Sequence, residues 1–444
     1  MDDIIKDEVF GEVKYKPNIG SWVGITDAPL YNSEGNLKLV VQDLEKEGIL
    51  DVQREAYKTY LQNADKYKEI AVDYLLDYYK WNYEYIASEV SGVNEKDHKD
   101  VVTETQLFEF MTLWYLFICR DGSFGYAFGC CWDVDNGLAV LLSEEEPRII
   151  SRTQLKNLHK INDDDLGLLV HDGKNAWKGW KKHSLFGKNE HMEIELSGSV
   201  EEGITEAQQK AYVTYQQQKD AYFMQLAEIL LAANAESSQT IQPKTLYIDR
   251  EGNMGWICYT NWDASYVGAL FTGENILLVT DYQLKNMGEY RLTEDKICGK
   301  LLIDDSFAGR IEIRSFLGKI QTLYLDFQLE DGKLTKEQRN AYKKYLNRNP
   351  KFWENIKDVM LDYYLSIYED MAEFIGVPEG FPEGLKIENV TRDTVMNMVD
   401  FGRIYFTYDG RGCFLGECPI GEEEGIGFEF TDGEIEIIEP SEIL

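Results

Sequence analysis

A tryptophan followed by an aspartate ends the same predicted strand at two places in the chain, Trp132-Asp133 and Trp262-Asp263. An indole beside a carboxylate could face a ligand or a protein partner, because tryptophan is enriched at the energetic centres of binding surfaces. The pair could instead be structural, with the indole filling the space between a sheet and its helices and the aspartate capping the next turn. The sequence leaves both interpretations open.

Two runs of glutamates form the second candidate surface. They lie at equivalent predicted rims of the first and the last copy of the motif described below, and consist of Glu144, Glu145, Glu146, Glu422, Glu423 and Glu424. Such acidic rims could meet a basic protein surface. In an acidic chain they could equally be solvated turns.

No catalytic constellation stands out in the sequence. It contains no GxSxG elbow, no Walker loop and no GxGxxG entering a helix, and its 5 histidines do not recur at matching places. We therefore expect no catalytic residue, no cofactor and no metal. One alternative remains: a hydrolase that uses carboxylates in a cleft between repeats, with Asp133 or Asp263 involved.

The segment that carries the tryptophan motif occurs three times. Residues 116–140, 246–270 and 404–427 each begin with an apolar strand and reach a turn centred on Gly122, Gly252 or Gly410. Glycine supplies the positive φ that a tight hairpin needs. Short strands joined by short turns predict an antiparallel meander.

A helix precedes each copy. The three predicted helices begin near the pattern Gln-x-x-Ala-Tyr, with Asp51, Thr205 and Thr335 as suitable N-caps. The sequence predicts a break near residues 63–65 in the helical region before the first copy. Before the third copy it predicts a second helix that begins near Pro350. Tyrosines at helical spacing predict a core face first, and an aromatic ligand platform only second.

These patterns predict an α+β protein built from three tandem repeats, each an antiparallel β-meander with one or two helices packed on one face. We place repeat one at residues 1–158, repeat two at residues 159–290 and repeat three at residues 291–444. Repeat two has a shortened helical part, because its single helix leads directly to its meander.

The chain has a formal net charge of −34, from 45 basic and 79 acidic side chains. Such a charge predicts repulsion from nucleic acids and anionic membranes, and it is compatible with a basic protein partner. The first residues show no basic region followed by an apolar run, so we expect no signal peptide. The 7 cysteines include no CxxC pair, which favours free thiols in the cytoplasm.

The stretch from Phe128 to Asp133, followed by Gly137-Leu138-Ala139-Val140, resembles the signature of a family of uncharacterised bacterial domains of unknown function. Further features are shared with that family: a Gln-x-x-Ala-Tyr helix and a Tyr-Tyr helix end, here Gln53, Ala56, Tyr57, Tyr78 and Tyr79. The resemblance implies no established activity. It implies a likeness to the immunity and accessory proteins around bacterial toxin and contact-competition systems.

Charge, repetition and resemblance together lead to one expectation. We expect a non-enzymatic, cytoplasmic protein-interaction module of the kind found in immunity-type inhibitors, whose acidic rim blocks a basic protein effector. The sequence leaves the oligomeric state open.

Overall fold

The computed structural model describes residues 3–27, 36–83, 86, 103–143, 147–185, 188–233, 239–262, 265–316, 319–348, 350–374, 385–419, 425–431 and 434–443. Within these residues the strands form three eight-stranded sheets that follow one another along the chain. Neighbouring strands in each sheet are also neighbours in sequence. The predicted α+β class with repeated units is confirmed.

The strands are numbered in chain order. The first sheet contains β1 (Ile4–Asp7), β2 (Gly11–Lys16), β3 (Ser21–Asp27), β4 (Asn36–Gln42), β5 (Met111–Ile118), β6 (Phe124–Cys130), β7 (Asp133–Leu141) and β8 (Arg148–Ser151). The second contains β9 (Lys160–Asp163), β10 (Gly167–His171), β11 (Ala176–Leu185), β12 (Lys188–Ser197), β13 (Ile241–Ile248), β14 (Met254–Thr260), β15 (Tyr266–Thr272) and β16 (Asn275–Thr280). The third contains β17 (Arg291–Asp295), β18 (Gly299–Ile303), β19 (Phe307–Phe316), β20 (Lys319–Gln328), β21 (Asp400–Phe406), β22 (Gly412–Glu417), β23 (Ile426–Glu429) and β24 (Glu436–Ile438).

The described helices are numbered in the same way. They are α1 (Asp51–Gln62), α2 (Ala64–Trp81), α3 (Glu104–Phe110), α4 (Arg152–Lys156), α5 (Glu206–Ala232), α6 (Asp281–Lys285), α7 (Lys336–Leu346), α8 (Pro350–Phe374) and α9 (Arg392–Met396). The predicted helix break in repeat one and the helix that begins at Pro350 in repeat three are both confirmed.

The sheets are mostly antiparallel, but the central strands of the first and third sheets pair in parallel. β4 pairs with β5 and β20 pairs with β21 in this way. A helical segment connects the two central strands of each sheet, which allows the second strand to run in the same direction as the first. Each of these two sheets therefore consists of two four-stranded meanders joined by a helical crossover, which the expectation of one meander per repeat missed.

The three predicted turn glycines have left-handed backbones, with φ of +85° at Gly122, +87° at Gly252 and +90° at Gly410. The turns also lie against the first turn of the preceding crossover helix. A Cβ atom at Gly122 would come within 2.7 Å of Val52, and one at Gly252 within 2.9 Å of the Ala207 carbonyl oxygen. Backbone strain and lack of space therefore both favour glycine there.

The predicted N-caps have different outcomes. Thr335 caps α7, because its hydroxyl accepts the backbone N–H of Gln338. The prediction for Asp51 is wrong, since Leu50 holds the N-cap position and Asp51 is the first helical residue. The Asp51 side chain extends into solvent instead and pairs with Arg54.

The tyrosine stripe forms core, as the first interpretation predicted. Tyr57 and Tyr60 are buried under the first sheet, and the hydroxyls of Tyr60 and Tyr126 lie 3.1 Å apart. Leu61, which the sequence places on the same face, is 48% exposed and that assignment is wrong. One residue is about 100° of helix rotation, which turns Leu61 away from the sheet.

The opposite face of each sheet carries a smaller apolar layer. Leu155 in α4 packs on the first sheet and Leu284 in α6 packs on the second, both fully buried. By its internal contacts the chain divides into two compact units, residues 1–205 and 206–444.

Candidate functional site

Trp132 lies in the core of the first compact unit. Its ring meets Tyr79 of α2 edge-on at 5.9 Å between centroids, and its side chain is only 6% exposed. Asp133 begins β7 and is half-buried, and its carbonyl oxygen accepts the Cys130 thiol at 3.6 Å. This packing agrees with the structural interpretation of the pair. A role toward a partner stays a prediction.

Trp262 belongs to the second compact unit and is half-buried. Its indole N–H donates to the Thr322 hydroxyl of β20 at 3.1 Å. The other predicted site residues lie outside the described residues: Asp263, Glu144, Glu145, Glu146, Glu422, Glu423 and Glu424. The predicted surface is therefore described only at Trp132, Asp133 and Trp262.

Cys130 and Cys418, which share a position in the motif, are both buried. The repeated motif predicts a small, buried, apolar residue on a strand at this position. Cys130, the last residue of β6, confirms that prediction, whereas Cys418 is buried but lies one residue beyond β22. Burial raises the pKa of the Cys130 thiol to about 11, which keeps it protonated near neutral pH.

A buried glutamine ties each crossover helix to its sheet, and the sequence interpretation overlooked it. Gln53, Gln208 and Gln338 are each 0% exposed. Gln53 donates from Nε2 to the carbonyl oxygens of Gln42 and Cys119, at 2.9 and 3.2 Å, and so bridges the ends of β4 and β5. The repeated Gln-x-x-Ala-Tyr pattern was the signal that could have revealed it.

Gln338 makes the equivalent bridge in repeat three, between the carbonyl oxygens of Gln328 and Phe406. In repeat two, Gln208 donates to the Ile248 carbonyl oxygen at 3.4 Å. Buried backbone carbonyls at these strand ends need donors, because an unsatisfied one costs stability. The glutamine is therefore structural in all three repeats.

Four carboxylates follow the solvent side of α2 at every fourth position: Asp65, Glu69, Asp73 and Asp77, here called the α2 row. At 1.5 Å rise per residue, successive members lie about 6 Å apart along the helix. No cation among the described residues forms an ion pair with Asp65, Glu69 or Asp73. The nearby Lys68 instead approaches Glu104 of α3, at 3.9 Å.

Helix α8 of repeat three carries the matching carboxylates Glu354, Asp358 and Asp362, here called the α8 row. Arg392, the first residue of α9, bridges two of them, at 3.2 Å from Glu354 and 2.9 Å from Asp358. Arg392 follows the capping Thr391 directly, and Glu104 follows the capping Thr103 in the same way. Repeat one thus has an acid where repeat three has the neutralising base.

The second compact unit contains an open cleft of about 650 Å³. Its walls come from the end of α5, β16, β18, β19 and Arg348. We call it the cationic cleft, because its charged lining residues are Lys300, Arg310, Arg314 and Arg348 against the single carboxylate of Glu312. No sequence pattern predicts the cationic cleft, since these residues are spread over almost 50 positions of an acidic chain.

Glu312 is the centre of the charged network in the cleft. Its carboxylate accepts from Arg310 at 2.7 Å and from the Tyr342 hydroxyl at 3.3 Å, and it pairs with Arg314 Nε at 2.6 Å. Burial would raise the pKa of Glu312, but Arg314 and Arg310 outweigh it and hold that pKa below its usual value. Glu312 is therefore ionised at neutral pH.

Arg348 lies on aromatic rings instead of a carboxylate. Its guanidinium carbon is 3.9 Å from the Tyr345 ring centroid and 4.8 Å from that of Trp353. One terminal nitrogen donates to the Tyr345 carbonyl oxygen at 2.6 Å, and Nε has no hydrogen-bond partner within the part of the chain that the structure describes. Burial, together with the positive charge of Arg314, lowers the pKa of Arg348.

Residues 9–154 and 297–444 match a protein family described as a domain of unknown function (DUF6985). These two regions make up more than half of the 444-residue chain. The chain belongs to the DUF6985 family. No curated protein and no solved structure matches it.

The two DUF6985 regions contain both acidic rows and the glutamine bridges of repeats one and three. The match leaves out all of repeat two, although the second sheet also has eight strands. Part of the cationic cleft, on α5 and β16, lies in that unmatched stretch.

No described helix has the length and apolar character needed to cross a membrane. No group of three or more histidine, cysteine or acidic side chains is placed to hold a metal ion in the described parts of the chain.

Proposed function

We propose that this DUF6985 chain is a non-enzymatic protein-interaction module of the bacterial cytoplasm. It acts as an immunity-type inhibitor by covering a basic protein effector. The observation that carries the proposal lies in the α2 row, where Asp65, Glu69 and Asp73 are exposed and form no ion pair among the described residues, whereas Arg392 pairs with the α8 row.

The spacing of the α2 row has a physical cost. Each pair of like charges four residues apart destabilises a helix by about 0.2–0.5 kcal/mol. In repeat three, Arg392 offsets that repulsion. In repeat one, lysines or arginines of a partner would offset it, so binding removes repulsion as well as adding attraction.

The net charge of −34 supports the same proposal at longer range. A strongly acidic chain raises the rate at which basic proteins encounter it, and the effect falls with ionic strength. The predicted rims at Glu144–Glu146 and Glu422–Glu424 would add to this field.

The carboxylate-dependent hydrolase receives no comparable support. General acid catalysis by a carboxyl group needs a raised pKa. Glu312, the one carboxylate that lines the described cleft, has its pKa lowered by two arginines.

Capture from a lysate of the native host tests the proposal, with three immobilised forms of the full chain. They are the natural sequence, an α2-row variant (Asp65→Asn, Glu69→Gln, Asp73→Asn) and an α8-row variant (Glu354→Gln, Asp358→Asn, Asp362→Asn). Bound proteins are identified by mass spectrometry at about 0.05 M and about 0.5 M salt, where the screening length falls to about 4 Å.

The proposal predicts a basic protein that the natural chain and the α8-row variant retain and the α2-row variant loses. It also predicts weaker retention at the higher salt. Equal retention by all three forms, or no basic protein retained by the natural chain, would contradict it.

A further inference from the structure

We propose that the cationic cleft binds a small amphipathic anion, with a carboxylate or phosphate head and an apolar body. The inference goes beyond the proposed function, because the cleft and the α2 row belong to different compact units.

The cleft is strongly positive in an acidic chain. Four cationic side chains line the cleft and Glu312 is the only acidic residue among its described lining residues, in a chain whose net charge is −34. Crowded cations in a half-buried cleft repel one another more strongly than in water, because the local dielectric is lower. A bound anion would relieve that repulsion.

Arg314 in the cleft has hydrogen-bond donors that remain available to a ligand. Arg314 reaches Glu312 through Nε, and its two terminal nitrogens have no hydrogen-bond partner among the described residues. Its side chain keeps 30% of its surface exposed. A guanidinium presented in this way matches the two oxygens of a carboxylate or phosphate.

The guanidinium groups of Arg348 and Arg314 are held in place by neighbouring side chains. Arg348 and Arg314 both lie over the Tyr345 ring, at 3.9 and 5.4 Å from its centroid. Stacking and the Glu312 pair hold the two guanidinium groups before any ligand arrives. Groups already ordered lose less conformational entropy on binding.

Part of the cleft is apolar, and we call this part its apolar wall. Its lining residues at the end of α5 and on β16 are Ile229, Ala232, Ala233, Ile276, Leu277 and Leu278. Binding sites for small molecules combine such an apolar lining with a few placed polar groups. The cationic side would hold the head of the ligand and this wall its body.

Calorimetric titration of the full chain with four probes tests the inference: hexyl phosphate, hexanoate, hexanol and inorganic phosphate. We expect hexyl phosphate or hexanoate to bind at one site and at least tenfold more tightly than hexanol. Inorganic phosphate should bind at least tenfold more weakly than hexyl phosphate. The stronger of the two amphipathic anions identifies the head group.

Three variants locate the binding. Arg314→Gln should weaken the preferred anion about tenfold, the loss of one charge-assisted contact. Ala232→Phe should abolish binding, because the larger side chain fills the apolar part of the cleft and leaves the arginines in place. The matched control is Arg403→Gln, which removes an arginine that pairs with Asp326 outside the cleft, and it should change the affinity less than twofold.

Three outcomes would overturn the inference. They are the absence of binding by both amphipathic anions, hexanol binding as tightly as either of them, and equal losses in Arg403→Gln and Arg314→Gln. Because none of these variants touches the α2 row, a failure here leaves the capture result unchanged.

Discussion

Helices α2 and α8 occupy the same place in repeats one and three and carry acids at the same spacing. They differ in what faces those acids. Arg392 pairs with Glu354 and Asp358 on α8, whereas the equivalent residue beside α2 is Glu104. The two repeats therefore share their interior and differ in surface charge, and we propose that a basic partner binds the surface of repeat one.

The largest expected effect tests the shared interior. Gln53→Ala and Gln338→Ala should each lower the free energy of unfolding by about 3 kcal/mol, because two buried carbonyls lose their donor and a cavity forms. Urea denaturation at pH 7 measures both. Gln62→Ala, at an exposed glutamine that ends α1, is the control and should change little. A loss below about 1 kcal/mol in either repeat would show that the bridge is dispensable.

The next effect tests a second shared feature, a partly buried ion pair between the first strand and the first helix of the repeat. Asp7 pairs with Arg54 at 2.9 Å, and Asp295 pairs with Arg339 at 2.7 Å. Burial would raise the pKa of each aspartate, but hydrogen bonds from backbone N–H groups and the arginine lower it below 3.8. Folding therefore favours the ionised form.

The pH dependence of stability follows from the lowered pKa of these aspartates. This stabilisation is complete above pH 3.8, the ordinary value, and disappears as the pH falls through the lowered pKa. Asp7→Asn or Asp295→Asn should cost about 1 kcal/mol at pH 7 and less at pH 3. Urea denaturation between pH 7 and 3 measures it, with Asp51→Asn, at the 97% exposed partner of Arg54, as control. A cost that does not depend on pH would refute the linkage.

A smaller effect separates the two rows. Glu69→Gln removes two like-charge pairs from α2 and should stabilise the chain by about 0.6 kcal/mol. Asp358→Asn removes the equivalent repulsion from α8 but also an ion pair with Arg392, so it should stabilise less or destabilise. Thermal unfolding at low salt compares the two variants. Equal gains in thermal stability for the two variants would contradict the proposed difference between the rows.

The smallest effect concerns the neutralising residue itself. Arg392→Gln should lower the urea midpoint slightly at low salt and have no effect at about 1 M salt, where screening acts over about 3 Å. Glu104→Gln should leave the midpoint unchanged, since its contact with Lys68 is long. A salt-independent loss for Arg392→Gln would mean that its packing matters and its charge does not.

Local patterns of the sequence predicted much of the fold. Gly122 and Gly410 identified the turns, and Pro350 placed a helix start, because these residues act through their own backbone. The parallel pairing of β4 with β5 was missed, since no residue type distinguishes a parallel partner in a short strand. The domain boundaries at residues 158 and 290 stay a prediction.

The site was less predictable. Trp132 and Trp262 stood out as residues, yet their packing depends on tertiary contacts such as Tyr79 and Thr322. Arg314 and Arg348 meet only because β19 and the end of α7 come together in the fold. The difference between Glu104 and Arg392 was visible in the sequence, but its meaning required the ion pairs.

Exchanging Glu104 and Arg392 between repeats one and three tests most directly whether the α2 row binds a basic protein. The measurement is the calorimetric affinity of the captured basic protein for Glu104→Arg and for Arg392→Glu, at about 0.05 M salt. The account predicts that Glu104→Arg weakens binding about tenfold, because it places beside the α2 row the base that the α8 row already has. Arg392→Glu should keep or increase the affinity. Undiminished binding by Glu104→Arg would contradict the account.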